Sequence, residues 1–300
     1  MSTTNFPNGV SSFGVPVLGG SILTTGNIFF VDSGAANASD NPGRGSKEEP
    51  FATIDYAIGR CTANNGDHII AMPGHTETIT AAGGVDFDVA GVTLVGLGRG
   101  SNQAKITSTS ATGDIDIDAA DITIEGMVFT SGVSDNAVGI DVNAQDFTVR
   151  NCRFVQGGTD LNTLKWILEG STTTASRMTI ENNYVNGIDA SNTHFVDLAG
   201  TGDGHIIRGN VCQGVFATMC IGGAGIVTKC TIAHNLIHNT STTADTCINM
   251  GATATGIVAW NGASGGHATD GIVCGDLGSI ENYYELSTSD LSGVLEPAVA

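Results

Sequence analysis

The sequence predicts an all-β chain, a single-stranded parallel β-helix closed at one end by a helix. Three observations predict it. An eight-residue pattern built round one apolar anchor recurs along most of the chain. A second short apolar run recurs between its copies. Glycine and small polar residues fill the remainder, which suits short strands and tight turns.

The first pattern reads VTLVGLGR (92–99), ITIEGMVF (122–129), FTVRNCRF (147–154), MTIENNYV (178–185), HIIRGNVC (205–212), CTIAHNLI (230–237), GIVAWNGA (256–263) and GSIENYYE (278–285). Its anchors are Leu94, Ile124, Val149, Ile180, Ile207, Ile232, Val258 and Ile280, which lie 30, 25, 31, 27, 25, 26 and 22 residues apart. A period that varies around one value marks stacked coils whose loops differ in length. The second run reads GIDV (139–142), WIL (166–168), FVDL (195–198), MCI (219–221), CINM (247–250) and GIVC (271–274). Each coil thus carries at least two strands. Strands that recur once per coil in one direction pair in parallel with the coils above and below.

Individual columns support the stacking. Two residues before the anchor stand Val92, Ile122, Phe147, Met178 and Cys230, with His205 as an exception. Five residues after it stand Phe129, Phe154, Val185, Cys212 and Ile237. Both columns are expected to face inward. Three residues after it stand Asn183, Asn210, Asn235 and Asn261, on four successive coils. Amides one strand spacing apart can bond coil to coil, so these four form a candidate ladder. Asn also tolerates the left-handed backbone of a sharp corner, which is expected at the same four positions. One residue after the anchor, Glu125, Arg150, Glu181 and Arg208 alternate in sign and are expected to pair on the outside.

Composition narrows the function. The 300 residues include 42 Gly, only 14% charged residues and a formal net charge of −19. That balance excludes a basic nucleic-acid footprint and disfavours anionic membranes. No apolar run reaches the ~20 residues of a membrane span. The first residues lack the basic and apolar regions of a signal peptide, so synthesis in a cytoplasm is expected. The seven cysteines form no metal-ligand cluster and are expected to be reduced core residues.

Ahead of the repeat, Phe51, Ile54, Ile58 and Cys61 recur at helical spacing, with Pro50 suited to a first turn. This helix is expected to cover the open end of the stack, since solenoids need caps. Pro50 to Ile58 (PFATIDYAI), Gly66-Asp67, Ile69-Ile70, Pro73-Gly74 and Glu77 resemble the opening of right-handed β-helix proteins of the pectate-lyase-like superfamily. The resemblance implies a right-handed helix, and about nine coils are expected. It covers residues 28–285 and is specific for fold rather than activity. The expected organisation is an extended N-terminal arm (1–27), the opening with its capping helix (28–80), the parallel β-helix (81–285) and a C-terminal cap or tail (286–300).

The arm carries Phe6, Pro7, Phe13, Val15, Pro16, Val17, Ile22 and Leu23 without helical or clean strand periodicity. Docking on a partner, or on its own solenoid, would bury its apolar side chains. The arm, the β-helix and the GVLEPA stretch near the end are together similar to structural proteins of tailed-bacteriophage virions. That resemblance implies a capsid decoration protein or tail appendage, a homotrimer, and the major capsid protein or another virion protein as partner.

Candidate chemistry is sparse. Asp114, Asp116 and Asp118 alternate with Ile115 and Ile117, which puts three carboxylates on one strand face. They are weak calcium candidates, and a solvated outer face is the favoured reading. The pectate-lyase-like resemblance implies a calcium-bridged acidic polysaccharide and an arginine base, for which Arg150 and Arg153 are nearest. Glycoside hydrolysis needs two acids on one face, and Asp135, Asp160 and Asp189, or Asp245 and Asp270, are candidates. Asp203, His205 and Arg208 in GDGHIIRG do not match the paired-Asp and Gly-His-Gly pattern of pectinases. His234 and His238 are expected to be structural. Trp166 and Trp260 are the two tryptophans that could serve as sugar platforms. The expected function is therefore a non-enzymatic virion structural protein located in the virion, with no cofactor and no metal. The alternatives are a polysaccharide-active enzyme, such as a phage depolymerase, and a tail-fibre protein that binds carbohydrate through loops 130–138, 155–165 and 238–246.

Overall fold

The structure, a computed structural model, describes residues 11–12, 15–16, 24–170, 175–188, 191–241, 246–265, 271–285 and 294–296. The chain winds as a parallel β-solenoid of three sheets. The first sheet has ten strands, from Ile28–Val31 and His68–Ala71 through to Gly278–Ile280. Among the described residues the second also has ten, nine from Thr76–Ile79 to Asn282–Glu285 and a tenth, Val294–Glu296, at its edge. The third has eight, from Val85–Asp86 to Ile272–Val273. Within the three sheets every pairing is parallel except that of Val294–Glu296 with Asn282–Tyr284, which ends the second sheet with an antiparallel strand. Coils that contribute to all three sheets therefore number eight, slightly fewer than expected.

Each coil has three strands because the eight-residue pattern itself contains a corner. In ITIEGMVF, Thr123–Glu125 lies in the first sheet and Val128–Ser131 begins in the second. Left-handed residues flank most of the first-sheet strands. Before them stand Gly91, Asp121, Asp146, Arg177, Gly204 and Lys229, all with positive φ. After them stand Gly126, Asn151, Asn182, Gly209, His234, Trp260 and Glu281, also with positive φ. The ladder asparagines do not hold the left-handed backbone, contrary to expectation. The residue just before each of them does, which frees the asparagine side chain to point inward.

The apolar columns face the core as expected. Leu94, Ile124, Val149, Ile180, Ile207, Ile232 and Val258 are all fully buried, and Val92, Ile122, Phe147, Met178 and Cys230 two before, and Phe129, Phe154, Val185, Cys212 and Ile237 five after, are buried too. In the second column Phe129 and Phe154 stack with ring centroids 4.9 Å apart, and Phe195 packs edge-on against Phe154 at 5.4 Å. The last coil corrects the register. Val258 pairs with Ser279, so Ser279 is the anchor and Ile280 is exposed.

The capping helix is Ile54–Ile58, shorter than the spacing suggested. Thr53 caps its N-terminus by accepting from the Tyr56 N–H, so Pro50 and Phe51 precede the helix. Phe51 instead bridges to Val31. Ile54, Ala57 and Ile58 are buried against the end of the stack. The buried Glu77 carboxylate holds the helix by accepting from the Ile54 N–H at 2.8 Å, and His75 lies 3.3 Å from the same oxygen. Thr24 and Asn27 already belong to the solenoid body: Thr24 donates to the Gly66 carbonyl, and the Asn27 N–H to Asp67. In the arm, Ser11–Ser12 pairs antiparallel with Val15–Pro16. Phe6, Pro7, Phe13, Val17, Ile22 and Leu23 lie outside the described residues.

Candidate functional surfaces

The polar residues singled out by the sequence sort mainly onto two surfaces and one buried line. The buried line is the asparagine ladder. Asn183, Asn210, Asn235 and Asn261 are all buried, and each takes two donors from the preceding coil or gives two to neighbouring coils. Asn282 extends the ladder by one rung: its oxygen accepts from the Asn261 N–H at 3.0 Å and from the Asn261 amide at 2.9 Å. The misplaced last anchor hid this rung. Cys152 begins the line, its N–H donating to Asn183.

On the outer face of the first sheet the alternating charges pair. Arg150 meets Glu125 at 3.1 Å, and Arg208 meets Glu181 at 2.7 Å. At the preceding corner, Arg177 meets Asp146 and Lys229 meets Asp203, both at 2.7 Å. Arg153 lies over the Tyr184 ring, 5.6 Å from its centre. The residues of GDGHIIRG go to three separate partners. Asp203 takes Lys229 and Arg208 takes Glu181. His205 is fully buried with its Nε2 3.4 Å from Glu169, while its Nδ1 accepts from the Met178 N–H. Glu169 is itself held by the Gly202 N–H at 2.7 Å.

The third sheet carries the acidic face. Asp116 pairs in register with Asp86 and Asp141, so three carboxylates line up across three coils. Asp114 and Asp118 flank them, and Ile115 and Ile117 are buried as expected. Burial, followed by the negative charges of Asp114, Asp118, Asp141 and Asp86, pushes the Asp116 carboxyl up to about 6. Burial and neighbouring carboxylates also raise Asp86 and Asp141. Asp114 accepts from the Gly83 N–H at 2.7 Å, and Asp118 from the Asn143 amide at 3.0 Å. Among the described residues no group of three or more His, Cys, Asp or Glu is placed to hold a metal ion.

The other acid candidates do not assemble into one site. Asp135 accepts from Asn162 at 3.1 Å, and the backbone carbonyl of Asp160 accepts from Ser134. Asp189, Asp245 and Asp270 lie outside the described residues. Trp166 is buried in the core and offers no platform. Trp260 is exposed, stacks on His234 at 5.1 Å and donates to Glu281. His238 bonds Ser264 at 2.7 Å, so the two histidines point to different partners.

A third surface was not legible in the sequence. On the second sheet a groove of about 380 Å³ opens between Leu236 and Tyr283, over Gly262. Val211 continues its apolar side, and Gln213, His238 and Ser264 line the other.

No family model matches the chain, and no curated protein matches it. Among solved structures it is similar to one titled Geobacillus virus E2 ORF18, with 12% identity and a TM-score of 0.38. The match covers 90% of this chain and 65% of that one, so the chain spans just under two thirds of its length.

Proposed function

We propose that the protein is a non-catalytic structural component of a tailed-phage virion, a homotrimeric rod that decorates the capsid and is anchored by its N-terminal arm. The observation that carries this reading is how the side chains able to do chemistry are used. Arg150, Arg208, Arg177 and Lys229 each hold an acid on a neighbouring coil. The buried amides hold one another. These bonds stiffen a rod of roughly 40 Å at one strand spacing per coil. Three arms on one rod give avidity, so each needs only modest affinity.

The test is binding to empty capsids by the full chain and by a chain lacking residues 1–23, with circular dichroism to check that the solenoid stays folded. The reading expects capsid binding that disappears with the arm. Equal binding by both chains overturns the anchoring role, and no binding by either overturns the capsid as partner.

One observation favours a second reading, a polysaccharide-active enzyme. Asp116 is a carboxyl raised to about 6 beside other carboxylates, the pairing that an acid and a base need. On that reading Asp116→Asn abolishes release of sugar ends from an acidic polysaccharide. Absence of release from the unaltered chain counts against it.

A further inference from the structure

Two outward columns lose their charged residues along the solenoid. On the first sheet, the column after the anchor runs Glu125, Arg150, Glu181, Arg208, and then Ala233, Ala259 and Ile280. On the second sheet the outward column runs Lys105, Val128, Arg153, Tyr184, and then Val211, Leu236, Gly262 and Tyr283. The second-sheet column carries its last charge at Arg153 and the first-sheet column at Arg208, so beyond the coil of Arg208 neither column is charged. The earlier coils fold with charge at these positions, so the solenoid itself does not require the change.

The result is an apolar corner. Of the eight large apolar residues exposed among the described residues, Leu236, Ile257, Trp260, Ile280 and Tyr283 all lie there, between 41% and 59% exposed. Ile257 and Ile280 stand on the first-sheet flank. Leu236 and Tyr283 stand on the second-sheet flank, with Gly262 in register between them. The absent side chain at Gly262 is what opens the 380 Å³ groove. Trp260 sits on the turn between the flanks, and the carboxylate next to it, Glu281, accepts from its indole N–H. One flank thus offers a notch, and the other a ridge of two isoleucines.

We propose that this corner is the junction between copies of the chain: the notch over Gly262 on one copy receives Ile257 and Ile280 of the next. Charge selects the occupant. Each copy carries a formal net charge of −19, so copies repel wherever their acids face each other. Side-by-side packing is favoured where charge has been removed and apolar surface can be buried. A basic partner would be drawn instead to the Asp86, Asp116 and Asp141 line on the third sheet. A notch that meets a ridge is a heterologous contact, which closes into a ring where the rotation between copies divides a full turn and runs on as a filament where it does not. The inference deepens the trimeric reading above, but depends on it only for the number of copies.

The test is molar mass in solution, by light scattering on a sizing column, for the full chain and two variants. One variant breaks the ridge (Ile257→Asp with Ile280→Asp) and the other the notch (Leu236→Asp with Tyr283→Asp). Circular dichroism and thermal unfolding report whether each stays folded. The unaltered chain is expected to be a trimer. Each variant is expected to be a folded monomer, with self-association weakened about 100-fold or more. An equimolar mixture of the two variants is expected to form a dimer, because one intact notch still meets one intact ridge. If the aspartates unfold the chain, Ile257→Thr with Ile280→Thr replaces them, since threonine already occupies the position of Ile257 on other coils. A dimeric or larger unaltered chain whose mass falls in both variants overturns the trimer and leaves the junction standing. Variants as oligomeric as the unaltered chain overturn the junction. A monomeric unaltered chain overturns it too, and quenching of Trp260 fluorescence by dextran would then assign the corner to glycan.

Discussion

The Asn235 side-chain oxygen accepts two hydrogen bonds from Asn210, one from its backbone N–H at 3.1 Å and one from its amide at 2.9 Å. The Asn235 amide in turn donates to the Ile207 carbonyl at 3.0 Å and to Asn261 at 3.0 Å. Every polar atom of this buried side chain is satisfied, and so is the N–H of the corner beside it. Asn235→Ala leaves two donors and one carbonyl buried without a partner. It is expected to cost about 3 kcal/mol or more, since each orphaned buried group costs about 1–3 kcal/mol. Urea unfolding measures it. A cost under about 1 kcal/mol contradicts the role given to the rung.

Asn182 and Asn183 are neighbours in the chain with different jobs. Asn182 has φ of 56° and turns the corner, while Asn183 occupies the ladder. A β-branched residue resists that backbone, so Asn182→Val is expected to cost about 1–2 kcal/mol and Asn182→Gly to be nearly neutral. Thermal unfolding of the two variants checks the contrast, and equal effects would contradict it.

The acidic line makes the protein more stable in mild acid. The Asp116 carboxyl is raised from 3.8 to about 6 in the folded chain, so its ionised form opposes folding. That penalty is fully present above the folded value. It falls away as pH drops through about 6 toward the unfolded value, because the folded chain binds the proton first. Asp86, Asp114 and Asp141 shift in the same direction. Melting temperature is expected to rise from pH 7 to pH 5, and Asp116→Asn to raise it at pH 7 and flatten the slope. Asp67 works the other way, but lower down. Burial favours its protonated form, yet hydrogen bonds from Thr62, Asn27 and Asn65 outweigh this and hold it below the usual carboxylate range. Its contribution is lost only in stronger acid. A melting temperature that falls between pH 7 and pH 5 contradicts the account.

All seven cysteines are free thiols, and six are buried. Burial pushes Cys152, Cys230 and Cys247 up to about 12, and burial with the nearby Asp67 does the same to the half-buried Cys61. Thiolate is the reactive form, so a thiol reagent is expected to label the native protein slowly and all seven sites after unfolding. Rapid labelling of several thiols in the native protein would contradict the buried placement.

What was legible in the sequence follows from the physics of a solenoid. An inward column is apolar on nearly every coil, Ser279 and His205 being exceptions, so Ile124, Val149 and Ile180 repeat visibly. The amide ladder is legible because each rung needs the same residue. Outward columns carry no such demand, and their meaning depends on register between coils that are distant in sequence. The lines Asp86–Asp116–Asp141 and Leu236–Gly262–Tyr283 therefore emerge only from the paired strands. The left-handed corners were missed because many residues serve there, among them Gly209, His234 and Trp260. The last anchor was misplaced because Ser279 is polar and the exposed Ile280 beside it looked like the core residue. The asparagine column would have corrected it, since Asn282 lies three residues after Ser279.

The central claim is that polar side chains in this chain bind coil to coil and so build the rod. The most direct test is a double-mutant cycle on Asn210→Ala and Asn235→Ala, followed by equilibrium unfolding. The account predicts a coupling energy of about 1 kcal/mol or more, because the second substitution removes a partner already lost to the first. Additive effects, with coupling under about 0.5 kcal/mol, would contradict it.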